Sequence, residues 1–261
     1  MADFLDLLVK NTLETLKSGY YKTHFVKHIS EGRLSLRSSI INCKHAPIIA
    51  EIKPASPSSG VLREISSINE IAKAVERGGA VGISVLTEPK YFRGSLKALA
   101  EAKKHVNIPV LMKDIVVDPV QIEAAATLGA DAVLLILSIF ERGCANSSLE
   151  KMIEHAHSRG LEVLLETHSR SEFLKATGTD ADLVGINNRD LKTLNVNLDI
   201  TRRVMSKADR HEKIVVSESG IHTPDDVRFL HSCGTKAFLV GSALMRAENV
   251  KEKVRELVTA L

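Results

Sequence analysis

From residue 47 onward the chain alternates between short apolar runs and longer stretches in which apolar residues recur every three or four positions. The runs fall at 47–53, 81–87, 110–114, 132–137, 162–166, 183–187, 213–217 and 237–240, and each is rich in Val, Ile and Leu. Runs this short predict strands buried on both faces. The stretches between them, such as 68–77, 95–105, 119–128, 149–159 and 224–232, predict amphipathic helices. Several close on glycine, at Gly78-Gly79, Gly129 and Gly160, where a residue without Cβ takes the left-handed turn that ends a helix. Eight strands with helices between them predict an α/β fold with a wholly parallel sheet, which closes most readily as a (β/α)8 TIM barrel. An open, doubly wound sheet is the architectural alternative. Ahead of this rhythm, Phe4, Leu5, Leu8, Leu13 and Leu16 mark an amphipathic stretch. It predicts an extra N-terminal helical segment within 1–46, packed against a barrel spanning 47–261. No Gly/Ser/Pro-rich linker divides the chain, so 1–261 is expected to fold as a single domain.

Composition narrows the class of partner. Of 261 residues, 44% are hydrophobic and 26% charged, enough apolar material for a large core. Thirty-five Lys and Arg against 32 Asp and Glu leave a net charge of +3 with no basic block to track a phosphate backbone, so nucleic acid is not an expected partner. A mild positive balance suits a small anionic substrate, and equally a well-solvated surface. Cys43, Cys144 and Cys233 form no Cys-x-x-Cys pair and imply a reducing compartment. Asp3 and Asp6 interrupt the first apolar residues, unlike a signal peptide, and the longest strand-like run is far short of the ~20 residues of a membrane span. A cytoplasmic protein without membrane contact is expected, as a monomer or a weak homodimer. There is no His-Glu-x-x-His pattern, no strand-linked Gly-x-Gly-x-x-Gly and no Gly-x-x-x-x-Gly-Lys-Ser/Thr loop. Neither a metal nor a cofactor is expected.

The chemistry lies where buried strands end in ionisable residues, at the edge where barrel enzymes build their sites. The first strand ends Glu51-Ile52-Lys53, the third in Lys113, the fifth in Glu166 and the sixth in Asn187. Residues two apart share a face, so Glu51 and Lys53 point together, into the barrel mouth if Ile52 faces the helices. A structural ion pair at a strand end is the plainer account of those two. Taken singly, Lys113 could snorkel to solvent and Glu166 could cap a helix. Together, lysines and carboxylates at one mouth tune each other's proton affinity, as general acid and base work requires. Late in the chain, Ser217-Glu218-Ser219-Gly220 and Gly241-Ser242 follow strands seven and eight, where backbone N–H groups form the usual phosphate cradle of such barrels. Simple tight turns would use the same residues. The loop 54–60 adds hydroxyls above Lys53, and Arg189 beside Asn187 suits a bidentate grip on an anion or a surface salt bridge.

These motifs are specific enough to carry a resemblance. Ile49-Ala50-Glu51-Ile52-Lys53 followed by Ala55-Ser56-Pro57-Ser58-x-Gly60 resembles the opening motif of indole-3-glycerol-phosphate synthases. Ser84-Val85-Leu86-Thr87-Glu88, Tyr91-Phe92-Arg93-Gly94-Ser95, Pro109-Val110-Leu111-Met112-Lys113-Asp114 and Gly185-Ile186-Asn187-Asn188-Arg189-Asp190-Leu191 continue it in order. Val216-Ser217-Glu218-Ser219-Gly220-Ile221 and Leu239-Val240-Gly241-Ser242-Ala243-Leu244-Met245 complete it, over about residues 47–246.

The resemblance implies a lyase of tryptophan biosynthesis that closes the indole ring of 1-(2-carboxyphenylamino)-1-deoxyribulose 5-phosphate without a cofactor. It implies Lys113 as general acid, Glu166 as its partner in proton transfer, and Lys53 held by Glu51 as an acid or electrostatic partner. Asn187 and Glu218 would orient the ribulose part and the catalytic groups. Arg189 would hold anionic groups, Ser56, Ser219, Gly220, Gly241 and Ser242 would surround the phosphate, and Phe92 would pack on the aromatic ring. Pro54 and Ser59 stand where many relatives have lysine, which weakens basic help for the phosphate from that loop, and Glu166-Thr167-His168 replaces a common Glu-Val-His. The competing expectations are a phosphosugar isomerase, a Schiff-base aldolase, or a silent barrel that binds a phosphorylated ligand.

Overall fold

The computed structural model describes residues 3–22, 32–206 and 212–261. Eight strands form its centre: β1 (Ile48–Ile52), β2 (Gly82–Leu86), β3 (Val110–Lys113), β4 (Ala132–Ile136), β5 (Glu162–Thr167), β6 (Leu183–Asn187), β7 (Ile214–Glu218) and β8 (Ala237–Val240). Each pairs in parallel with its sequence neighbours, and β1 pairs with both β2 and β8, so the sheet is a closed (β/α)8 barrel. Closure excludes the doubly wound alternative.

The helices are α1 (Phe4–Lys17), α2 (Leu36–Ile41), α3 (Ile68–Gly78), α4 (Leu96–His105), α5 (Pro119–Thr127), α6 (Leu137–Glu141), α7 (Leu149–Ser158), α8 (Arg170–Thr177), α9 (Asp199–Met205), α10 (Pro224–Ser232), α11 (Ser242–Arg246) and α12 (Val250–Val258). Side-chain caps set several starts: Ser67, Ser95, Ser148 and Thr223 each accept a backbone N–H of the first turn. Gly79, with φ of +97°, caps α3, and Gly129 and Gly160 take positive φ just beyond α5 and α7. The fourth apolar run ends one residue earlier as a strand than its sequence predicts, because Leu137 already begins α6.

Two apolar layers divide the strand residues by parity. Ile48, Ala50 and Ile52 pack outward with Ile83, Val85 and the surrounding helices. Ile49, Leu111, Leu134, Leu164, Val216 and Leu239 fill the barrel interior. With Ile52 outward, Glu51 must point inward, as the alternation along a strand requires.

The N-terminal segment is used at both ends of the barrel. Leu5, Leu8 and Val9 of α1 share an apolar cluster with Ile115, Ile136 and Ile139, at and just past the C-terminal ends of β3 and β4. Arg142 locks α1 there, donating to Asp3 at 2.8 and 2.7 Å and to Asp6 at 2.7 Å. At the opposite end Leu36 of α2 lies against Gly82, where β2 begins, and Ser35 and Leu34 donate to Glu162 and Asp131 at the starts of β5 and β4. Part of the expected 1–46 extension, residues 23–31, lies outside the described residues. Among the described residues no helix is long and apolar enough to cross a membrane.

Candidate active site

The inward-facing strand ends meet in a cavity of about 370 Å³ at the C-terminal mouth. Every site residue expected from the sequence lines it, with Phe4, Leu5 and Leu8 of α1 as an apolar wall and Leu134, Ile136 and Leu239 deeper in.

Lys113 is the centre of the polar cluster. Its Nζ lies 2.8 Å from Glu166 Oε2 and 3.4 Å from Glu218 Oε2, with all three side chains largely withdrawn from solvent. Lys53 Nζ meets Glu51 Oε2 at 2.5 Å on the β1 side. Asn187 Nδ2 donates to Glu166 Oε1 at 2.9 Å, and Asn187 Oδ1 accepts the Arg189 amide at 3.0 Å. Glu166 therefore has polar neighbours on both oxygens. Glu218 has only the longer approach of Lys113, and neither of its oxygens accepts an aligned hydrogen bond from the described residues. It fits because Gly185 on β6 has no side chain: a Cβ there would overlap Glu218 Oε1.

One buried cation cannot hold two carboxylates ionised equally well, and the neighbours decide between them. For Lys113, burial opposes the charge, but Glu166, Glu218 and Glu51 outweigh it and hold the ammonium above the ordinary lysine range. For Glu166, burial again opposes ionisation, and Lys113 with His168 overcomes it, keeping the carboxyl well below its usual range. For Glu218, burial wins over the attraction of Lys113, helped by the nearby charges of Glu166 and Glu51, and lifts it to about 8. These directions favour Lys113 and Glu166 as the ion pair and make Glu218 the carboxyl that holds its proton more tightly.

A second corner of the mouth, beside the Glu51–Lys53 pair, is built from backbone. Ser219 and Gly220 take φ of +67° and +82°, and with Gly241 and Ser242, the first residue of α11, they turn the ends of β7 and β8 around an open space. Small residues at this corner let backbone approach a ligand closely, and the peptide N–H groups suit an anion. Ser56 Oγ is buried there without a hydrogen-bond partner among the described residues. Arg189 Nη1 donates to Leu194 O at 2.8 Å and to Ser58 Oγ at 3.0 Å, so it ties the loop after β6 to the loop after β1. Burial lowers the proton affinity of Arg189, opposed by Glu51.

Phe92 is placed by a buried carboxylate. Glu88 accepts the amides of Lys90, Tyr91 and Phe92 at 2.9, 2.7 and 2.9 Å and Asn11 Nδ2 of α1 at 3.2 Å. Phe4 then packs edge-on against Tyr91, with centroids 5.8 Å apart. The ring of Phe92 and the wall of α1 make one side of the cavity apolar while β3, β5 and β7 keep the other charged.

Sequence reasoning missed several participants. Glu88, Arg246, His222 and the α1 side chains line the cavity. His168, two residues past Glu166, lies with its Nε2 3.1 Å from Glu166 Oε1. Its i, i+2 spacing to a strand-end carboxylate was the available signal. Two other histidines, His24 and His28, stand four apart, a metal-type spacing also missed, and both lie outside the described residues.

A family profile described as Indole-3-glycerol phosphate synthase matches residues 11–257. The indole-3-glycerol phosphate synthase of Methanocaldococcus jannaschii is 44% identical over 230 residues, covering 87% of this chain and 84% of the relative. That of Shouchella clausii is 44% identical over 212 residues, covering 80% and 81%. Among solved structures, a thiamine phosphate pyrophosphorylase from Pyrococcus furiosus superposes with a TM-score of 0.61 at 20% identity, over 87% of this chain and 97% of that one. An N-acetylmannosamine-6-phosphate 2-epimerase from Clostridium perfringens gives 0.62 at 13% identity, over 84% and 93%. At such identities the structural likeness is one of fold alone.

Proposed function

The chain belongs to the indole-3-glycerol phosphate synthase family, and on that footing we propose how its mouth cluster performs the reaction. The protein is a carboxy-lyase that converts 1-(2-carboxyphenylamino)-1-deoxyribulose 5-phosphate to indole-3-glycerol phosphate, carbon dioxide and water. In the proposed arrangement the phosphate takes the backbone corner at Ser219, Gly220, Gly241 and Ser242, with Ser56 Oγ supplying a further hydrogen bond. The aromatic ring lies against Phe92 and the α1 wall, which leaves the ketone over Lys113.

Ring closure joins the aromatic carbon that bears the carboxylate to the ketone carbon. Negative charge develops on the ketone oxygen, and Lys113 protonates it, the general acid being already charged and 2.8 Å from its counter-ion. Loss of carbon dioxide restores the aromatic ring. The new hydroxyl then leaves as water, taking a proton from an acid while a base removes one from the neighbouring carbon.

Once Lys113 has given up its proton it no longer suppresses the basicity of Glu166, which becomes the acceptor. Glu218, protonated at rest and 3.4 Å from Lys113, can recharge the amine. Lys53, paired with Glu51, stabilises negative charge on the β1 side. Asn187 fixes Glu166, and Arg189 orders the loops over the anionic groups.

The observation that carries this assignment of roles is a buried ammonium shared unequally by two carboxylates, in one cavity with a backbone anion corner. We also read the chain as one cytoplasmic domain, a monomer or weak homodimer. In support, α1 and α2 cover the two ends of the same barrel, and large exposed apolar residues such as Leu7, Ile41 and Leu174 are scattered. The direct experiment follows indole fluorescence when purified protein meets the carboxyphenylamino-deoxyribulose phosphate, with and without a chelator. Signal in both arms is expected. A folded protein that gives none sinks the assignment, and signal lost with chelator would require a metal.

A further inference from the structure

The chemistry of β5 continues past Glu166. His168 lies two residues on, almost wholly withdrawn from solvent, between two carboxylates. Its Nε2 is 3.1 Å from Glu166 Oε1, the oxygen that Asn187 also reaches, and the ring N–H is oblique to it, so the contact is one of charge more than an aligned hydrogen bond. Behind the ring, Nδ1 is 3.8 Å from Glu172 Oε2. Glu172 is itself fixed: it accepts the His168 amide at 2.8 Å and Ser138 Oγ of α6 at 3.1 Å. Among the described residues, the charged groups that meet the ring include Glu166 from β5 and Glu172 from α8, and Lys113 of β3 meets the other oxygen of Glu166.

We propose that His168 is a positioning residue for ring closure, an imidazolium that holds the Glu166 carboxylate in place while Lys113 gives up and regains its proton. This rests on Glu166 acting as the proton-transfer partner. The need for it follows from the reaction. When Lys113 is neutral, the ion pair that aims Glu166 is gone, and Asn187 alone would hold a buried anion. A second cation, screened from water and locked from behind by Glu172, keeps the carboxylate aimed through that interval, and ionised until it accepts its proton. Burial works against charge on the ring, but Glu166 and Glu172 more than reverse it and raise His168 to about 9.

Two variants separate the charge from the space it fills. His168→Gln keeps a neutral donor near the position of Nε2, and His168→Ala removes donor and charge together. In His168→Ala, kcat is expected to fall about 10- to 100-fold, the scale of a misplaced catalytic group, with KM changed less than about threefold. Gln should restore part of the loss. The acid limb of the kcat profile should move to higher pH in both, because Glu166 has lost a neighbouring cation. A folded His168→Ala enzyme with parental kcat and acid limb overturns the proposal. Glu166→Gln is measured beside it. If that variant is inactive while His168→Ala is parental, only the role of His168 falls. If Glu166→Gln is fully active, both roles fall. Independently of any variant, nitrogen-15 NMR of the ring in the unaltered enzyme should show both nitrogens protonated near pH 7.5, about a unit and a half below the expected titration. A neutral ring there overturns the proposal.

Discussion

Gly185 offers a way to move Glu218 without touching it chemically. The glycine does not lie in the left-handed region, so its backbone accepts alanine, and the effect of the added methyl falls on what occupies its space. That occupant is the Glu218 carboxylate, whose Oε1 a Cβ would overlap, whereas the methyl would meet the backbone Cα of Glu166 at an ordinary 3.4 Å. To reach a normal carbon–oxygen separation the carboxylate must withdraw by roughly 1 Å. A shift of that size is large against its present 3.4 Å from Lys113, so the geometry between the two groups cannot be kept. A displacement of that size at a catalytic group costs on the order of a hundredfold in rate. Stability should suffer less, because the yielding atom is the end of a side chain. The cost should fall at the low end of the roughly 1–3 kcal/mol of an overpacked core, or about 2–4 °C in melting temperature. The assay is steady-state indole fluorescence with a circular-dichroism melt. Gly185→Ala should lose kcat with KM nearly unchanged, and Glu218→Gln should lose it too. The double variant should be no worse than the poorer single, since both act through one group. A folded Gly185→Ala enzyme with kcat within about twofold of the parent refutes the role of Glu218 placement.

Lys113→Ala should lower kcat by at least about 10³-fold while the affinity for inorganic phosphate, measured by calorimetry, stays close to the parental value. Glu218 gives a pH test with a definite sign. Its folded proton affinity, about 8, lies above the unfolded value of 4.5, so the native state binds the proton more tightly and stability from this group falls as pH rises between them. Glu218→Gln does not titrate, so its stability relative to the parent should rise by on the order of 2–4 kcal/mol from pH 5 to pH 8, read as a widening difference in melting temperature; a constant difference would mean Glu218 is ionised in the native state. The parent's kcat should decline above about pH 8 as Glu218 loses the proton that recharges Lys113. Arg142→Ala should free α1 from the mouth, raising KM and speeding proteolysis at the N-terminus; unchanged proteolysis would show that Leu5 and Leu8 hold α1 unaided.

The barrel was legible because its strands are apolar on both faces and its helices are punctuated by glycine, and both properties are local. The fate of the first segment was not. The spacing of Leu5, Leu8 and Leu13 announces a helix but not which surface it covers, and its place at the mouth depends on Ile115, Ile136 and Arg142, more than a hundred positions away. In the site, the shared direction of Glu51 and Lys53 follows from strand alternation. The pairing of Lys113 with Glu166 and Glu218 requires barrel closure to bring β3, β5 and β7 to one opening. His168 stood in a motif but had no legible role, because its partner Glu172 belongs to the following helix, where an acidic residue reads as part of a cap.

What no pattern of residue types can disclose is that Glu166 and Glu218 have their proton affinities shifted in opposite directions. They are the same residue, buried alike, on two sides of one lysine. The difference comes from third parties: Asn187 and His168 favour the charge on Glu166, while Gly185 offers Glu218 only space. This bears on how the two lysines divide the work in the proposed mechanism. Lys53 has one carboxylate, Glu51, at 2.5 Å, whereas Lys113 has two, Glu166 with lowered and Glu218 with raised proton affinity. Ring closure and dehydration each require a proton at oxygen, so one enzyme turn uses an acid twice. Lys113 is the amine with a protonated carboxyl at hand to recharge it, and repeated donation falls to it, leaving Lys53 to stabilise charge.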